Sequence, residues 1–268
     1  MHFILLLLIV TIIIIILRKI WNKDVKSSWK IPDSDISKHW KNILIENVPY
    51  YNSLNEKEKS RFEYKVQEFI LNYKITAVKT EIDDTDRILV AASAIIPIFG
   101  FDHWRYHQLS EVLIYPNSFN RDYELEGEDR RILGMVGSGS MDGIMILSQQ
   151  ALRLGFKNET DKKNTAIHEF VHLIDKEGGT IDGIPSVLMQ KQYAIPWLKF
   201  IDEQIDILRN EASDINPYGA TNRAEFFSVA SEYFFERPKL LKRKHPELYQ
   251  HLEKLFNQDM SSRKLTKK

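Results

Sequence analysis

The chain has 268 residues, 43% of them hydrophobic and 28% charged, with Lys+Arg and Asp+Glu at 37 each. That length and apolar content can build a sizeable core, and the balanced charge leaves no electrostatic footprint for a nucleic-acid partner. Cysteine is absent, which excludes disulfides and any cysteine-based metal or nucleophile chemistry.

Met1 to Leu17 form an apolar run interrupted only by His2 and Thr11, and Ile20 and Trp21 carry it toward an interface. About 17 to 20 helical residues cross a bilayer core, so one transmembrane helix is expected over residues 1–21. A cleaved secretory signal would place basic residues before the run and small residues at its end. Here Arg18, Lys19, Lys23, Lys26 and Lys30 follow it, and no Ala-x-Ala pattern appears. The expectation is a retained single-pass anchor, with the positive flank and the rest of the chain in the cytoplasm. A secreted, soluble form is the rival if the run is removed. Residues 22–48, polar with scattered Trp29, Trp40 and Ile43, read as a juxtamembrane linker, and 49–268 as one domain.

Within that domain, Ser53 and Glu56 have capping-box spacing. Phe62, Val66, Phe69 and Ile70 then continue at helical spacing, which predicts an amphipathic helix from Asn55 to about Tyr73. Arg87 to Ile96 is a mostly apolar, alanine-containing run that predicts a buried helix ended by Pro97. Glu111–Tyr115 predicts a strand, turned at Pro116-Asn117, and Gly143–Ser148 a second. The Gly-rich Gly137–Asp142 stretch lacks the Lys-Ser/Thr ending of a phosphate loop and reads as a turn. The basic residues Lys239, Lys242, Arg243 and Lys244, and those of the C-terminal tail, read as solvated.

Chemistry concentrates in Thr165–Lys176, TAIHEFVHLIDK, a helix stopped by Gly178-Gly179. His168 and His172 are four apart and share one face, so both imidazoles can reach one zinc ion, and Glu169 can reach a water beside it. Polar groups in so apolar a segment are costly unless something holds them. A catalytic zinc wants a third protein ligand. Arg223–Glu236 predicts a buried helix, and Glu225 in its first turn is the candidate. Spacing alone leaves Glu225 equally suited to a capping box with Asn222, and leaves Glu232 and Glu236 as rival ligands. Asp175 can orient a ligand imidazole or simply sit at the helix end beside Lys176.

The chain resembles the MtfA family of zinc-dependent peptidases, whose site is similar to that of the anthrax lethal factor catalytic domain. The matching stretches are RILVAASAIIP (87–97), EVLIYPNSF (111–119), HEFVHLID (168–175), DGIP (182–185) and PYGATNRAEFFSVASEYFFERP (217–238). The resemblance covers about Tyr50 to Asp259. It implies an α+β, mainly helical, zincin-like metallopeptidase domain with a small sheet. It also implies one Zn2+ held by His168, His172 and Glu225, and places Tyr218 as a stabiliser of the oxyanion. The expected activity is aminopeptidase-like hydrolysis of a peptide or protein substrate by a zinc-bound water, with Glu169 as general base. Gly143–Ser148 is the candidate edge strand for substrate. The alternative is a membrane-tethered, zinc-containing regulatory or interaction protein with little turnover.

Overall fold

The computed structural model describes residues 29–127, 129–158 and 161–264. Every element below lies in the unit that spans Pro32–Lys268. The Met1–Leu17 run expected to cross a membrane lies outside the described residues. Among those described, no helix is long and apolar enough to cross one.

Helix α1 (Lys38–Asn47) starts where Ser37 accepts from the Trp40 amide. It occupies part of the stretch expected to be linker, because Ile43 and Leu44 give it a buried face against the core. A single turn at Pro49–Asn52 leads to α2 (Glu56–Asn72). The capping box of α2 is Asn55 with Glu58, not Ser53 with Glu56. Ser53 is committed to the preceding turn, where its hydroxyl donates to the Tyr50 carbonyl.

After β1 (Lys74–Ala77), Asp83 and Asp86 form a second capping box that opens α3 (Asp84–Ile98). Helix α3 is apolar all round and is buried from Ile88 to Ile98, so it forms the centre of the core. It runs through Pro97 instead of ending before it. Pro97 sits in the last turn, where little helix remains to be disrupted, and the Gln258 side chain donates to the Ile96 carbonyl at 2.9 Å.

The strands β2 (Glu111–Tyr115), β3 (Gly134–Val136) and β4 (Ile144–Ser148) complete a four-stranded sheet in the order β1-β2-β4-β3. The pairs β1-β2 and β2-β4 are parallel, and β3 runs antiparallel to β4. Strand β4, the expected edge, is therefore internal, and β1 and β3 are the edges. The remaining helices are α4 (Gln149–Lys157), α5 (Thr165–Lys176), α6 (Ala194–Asn210), α7 (Arg223–Glu236), α8 (Pro238–Lys244) and α9 (Pro246–Phe256). The described chain is thus mainly helical with one small sheet. Helix α3 packs against α1, α2, α4 and α5, and α5 packs between α7 and the β3 edge. On α7, Phe226, Phe227, Phe234 and Phe235 are buried, and Phe227 stacks on Phe256 of α9.

Candidate metal centre

Two helices build the site. Asn164 caps α5 by accepting from the Ile167 amide, and that start sets His168 and His172 one turn apart on the face toward α7. Asn222 caps α7 by accepting from the Glu225 amide at 3.0 Å. The Glu225 carboxylate does not complete a capping box. It reaches across to α5, with Oε2 3.0 Å from His168 Nε2 and 3.4 Å from His172 Nε2. The two Nε2 atoms are 3.1 Å apart. One donor atom from each residue thus lies within 4.8 Å of the others, in a group able to hold a metal ion.

The donor set fits zinc. Ligand bonds of about 2.0–2.1 Å in a tetrahedral shell put neighbouring ligand atoms about 3.3 Å apart, close to the separations seen. The back sides of the rings are held as well. His168 Nδ1 lies 2.8 Å from Glu232 Oε1, and His172 Nδ1 lies 3.2 Å from Ser228 Oγ. A carboxylate at Nδ1 favours the tautomer that leaves the Nε2 lone pair for a metal. Glu232 also accepts from the Asn164 amide at 2.5 Å, tying the imidazole to the start of its own helix.

Electrostatics make the same demand for positive charge. Burial acts to lower the His168 pKa, but hydrogen bonds to Glu225 and Glu232 outweigh it and push it up to about 10. Burial acts to raise the Glu225 carboxyl, but the two histidines hold it well below the usual carboxylate range. Without a metal, a proton supplies the cation that this donor set requires.

Glu169 is 6% exposed and lies on the cleft side of α5. Burial raises its pKa, partly offset by His168 and His172. Tyr218, in the turn before α7, is 53% exposed, and its ring centre is 6.1 Å from that of His168. Burial of its hydroxyl end and the neighbouring Glu225 raise its pKa. These residues open onto a cleft of about 640 Å³, which is also lined by Arg121, Ile132, Ile181 and β3. Ser148 N donates to Leu133 O, and Gly137 N donates to Ile144 O, each at 2.8 Å. Antiparallel alternation then turns the N–H and C=O groups of Gly134 and Val136 away from β4, on the edge that borders the cleft.

Asp175 does not orient an imidazole. Its Oδ2 accepts from the Gly183 amide at 2.7 Å, which ties the loop after α5 to that helix. Burial pushes its pKa up to about 6. Glu232, weighed in the sequence as a rival ligand, takes the orienting place instead. The signal was available: Glu225, Ser228 and Glu232 are spaced i, i+3, i+7, which puts all three on one face of α7. Arg121, Ile181 and the β3 edge carried no comparable sequence signal.

Residues 20–257 match the family described as glucose-regulated metallo-peptidase M90. An uncharacterized protein of Synechocystis sp., slr2042, is 30% identical over 230 residues, covering 81% of this chain and 83% of that protein. The Mlc titration factor A of Serratia proteamaculans is 27% identical over 258 residues (89% and 95% of the two chains), and that of Yersinia pestis 28% over 259 residues (89% and 92%). A match over most of the chain, with the metal-capable His168, His172 and Glu225 inside it, shows that this chain belongs to the M90 metallopeptidase family, the family of Mlc titration factor A.

Proposed function

We propose that the chain is a zinc-dependent, zincin-like peptidase in which His168, His172 and Glu225 hold the metal. The observation that carries this reading is the meeting of these three donors beside a buried carboxylate, Glu169, on a cleft bordered by an open strand edge. Two imidazoles and one carboxylate are a common catalytic zinc set that leaves a coordination position free. Zinc held there supplies Lewis acidity, so that water becomes a competent nucleophile near neutral pH.

The chain's own residues do the rest. Glu169 takes the proton from the attacking water and returns it to the leaving amine, and its raised pKa suits both duties. Tyr218 donates its hydroxyl to the developing oxyanion. Glu232 and Ser228 keep the two imidazoles oriented. An extended peptide pairs with the outward backbone groups of Gly134 and Val136, as an added strand would. Ile132 and Ile181 offer apolar surface for its side chains. The resemblance supports aminopeptidase-like action on small substrates. The apolar run at residues 1–21 and its basic flank support a membrane anchor with the peptidase on the cytoplasmic side. Cell fractionation with N-terminal sequencing tests that placement.

The test of the reading is turnover of a peptide library by wild-type protein and Glu169→Gln at equal zinc content. Cleavage by the wild type alone is expected; equal cleavage by both would refute the mechanism. The name Mlc titration factor A, carried by the Serratia and Yersinia relatives, favours a second reading, in which the chain acts by binding a partner of the Mlc kind. No turnover by zinc-loaded wild type, with such a complex formed equally by Glu169→Gln, would select it.

A further inference from the structure

The Glu169 carboxylate makes no hydrogen bond or ion pair with any described residue, although the residue is only 6% exposed. With no hydrogen bond to hold it, packing does much to decide where its carboxylate points. The wall facing it is Gly134 of β3. A Cβ built there would lie 2.6 Å from Glu169 Cγ, 2.7 Å from Glu169 Oε1 and 2.9 Å from Thr165 Cγ2. Gly134 has no left-handed φ, so glycine is required by space and not by conformation. The strand cannot readily retreat. Met135 is paired with Ile146 in β4, and Gly137 is hydrogen-bonded to Ile144. The opposite wall is the first turn of α5, fixed by its Asn164 cap.

We infer that Gly134 is the positioning residue for Glu169: the missing side chain of the edge strand is the slot that aims the carboxylate into the cleft. The inference rests on the peptidase reading for its consequence, but the slot itself is a property of the packing. One residue thereby serves two duties, since its outward backbone groups lie where an extended substrate would pair. A methyl group at 134 meets Glu169 and Thr165 first, not His168, His172 or Glu225. A displacement of about 1 Å at a catalytic group costs on the order of 100-fold in rate.

The experiment compares zinc-loaded wild type, Gly134→Ala and Gly134→Ala/Thr165→Ser by crystal structure, zinc stoichiometry and steady-state kinetics on a peptide. Gly134→Ala is expected to keep its zinc and the positions of its three donors. Its Glu169 carboxylate should move by about 1 Å, and kcat should fall roughly 10- to 100-fold with KM changed less than about threefold. Thr165→Ser removes only the farthest of the three atoms that the new Cβ would meet, so the double variant keeps both contacts with Glu169. It is therefore expected to keep the displaced carboxylate and most of the loss in kcat, and it is the variant to read where the single one does not fold. An unmoved Glu169, or wild-type kcat in either folded variant, would overturn the inference. A displaced Glu169 in a protein whose wild type cleaves no peptide would leave the slot standing and remove the peptidase reading instead.

Discussion

Replacing Glu232 by alanine removes the carboxylate that joins two buried donors while leaving the identity of the three metal-capable residues unchanged. Glu232 is 5% exposed, accepts from the Asn164 amide at 2.5 Å, and lies 2.8 Å from His168 Nδ1. Each donor left unpaired in the interior costs about 1–3 kcal/mol, so the truncation should destabilise the fold by about 2–6 kcal/mol. For a domain of this size that corresponds to a fall in Tm of roughly 5–20 °C. Loss of the partner also frees the His168 ring to rotate, and outer-shell losses of this kind weaken metal binding about 10- to 100-fold, or about 1.4–2.7 kcal/mol. Glu232→Gln should fall between. Its amide oxygen can serve one donor, but its amide nitrogen then faces the other. Zinc affinity by chelator competition and thermal unfolding of the metal-free protein read the two effects separately. Zinc affinity within twofold of wild type in Glu232→Ala would refute the claim that this carboxylate organises the site.

Other expectations follow from the same geometry. Glu169→Gln should retain one zinc per chain and lose peptide hydrolysis by at least about 100-fold; metal analysis beside an activity assay checks both. His168→Ala should bind no zinc at micromolar concentrations, because a ligand and its Glu232 anchor are lost together. Tyr218→Phe should keep its zinc and lower kcat about 10- to 100-fold with little change in KM, and an unchanged kcat would remove Tyr218 from the chemistry. Asp214 supplies a pH signature away from the metal site. Burial acts to raise its carboxyl, but hydrogen bonds from Tyr233, His245 and Lys244 hold it well below its usual range. Its contribution to stability is therefore present above the unfolded carboxylate pKa and is lost as pH falls below it. Thermal unfolding from pH 7 to 3 should show Asp214→Asn losing less stability than wild type.

What could be read from the sequence was what local spacing encodes. The His168-Glu169-His172 arrangement needs only one helix, and the buried Arg87–Ile96 run and the Glu111–Tyr115 strand need only their own composition. Glu225 was different. The same residue suits both a capping box and the proposed metal site, and only the direction of its side chain separates the two. The structure shows the amide of Glu225 serving the cap and the carboxylate serving the histidines. Edge strand β3, at three residues, is too short to show a period, and whether β3 or β4 is the edge depends on sheet order. The same holds for Asp175, whose partner is a loop amide eight residues on. Ser53 and Asn55 compete for one cap, and the preceding turn decides between them.

The most direct test is zinc content and zinc titration of the purified protein beside Glu225→Ala, each checked for folding by circular dichroism. The account predicts one zinc per wild-type chain, with submicromolar affinity, and a folded Glu225→Ala protein that binds at least about 100-fold more weakly. A folded wild type that takes up no zinc, or a Glu225→Ala variant that binds it equally well, would contradict the assignment of these three residues as the metal centre.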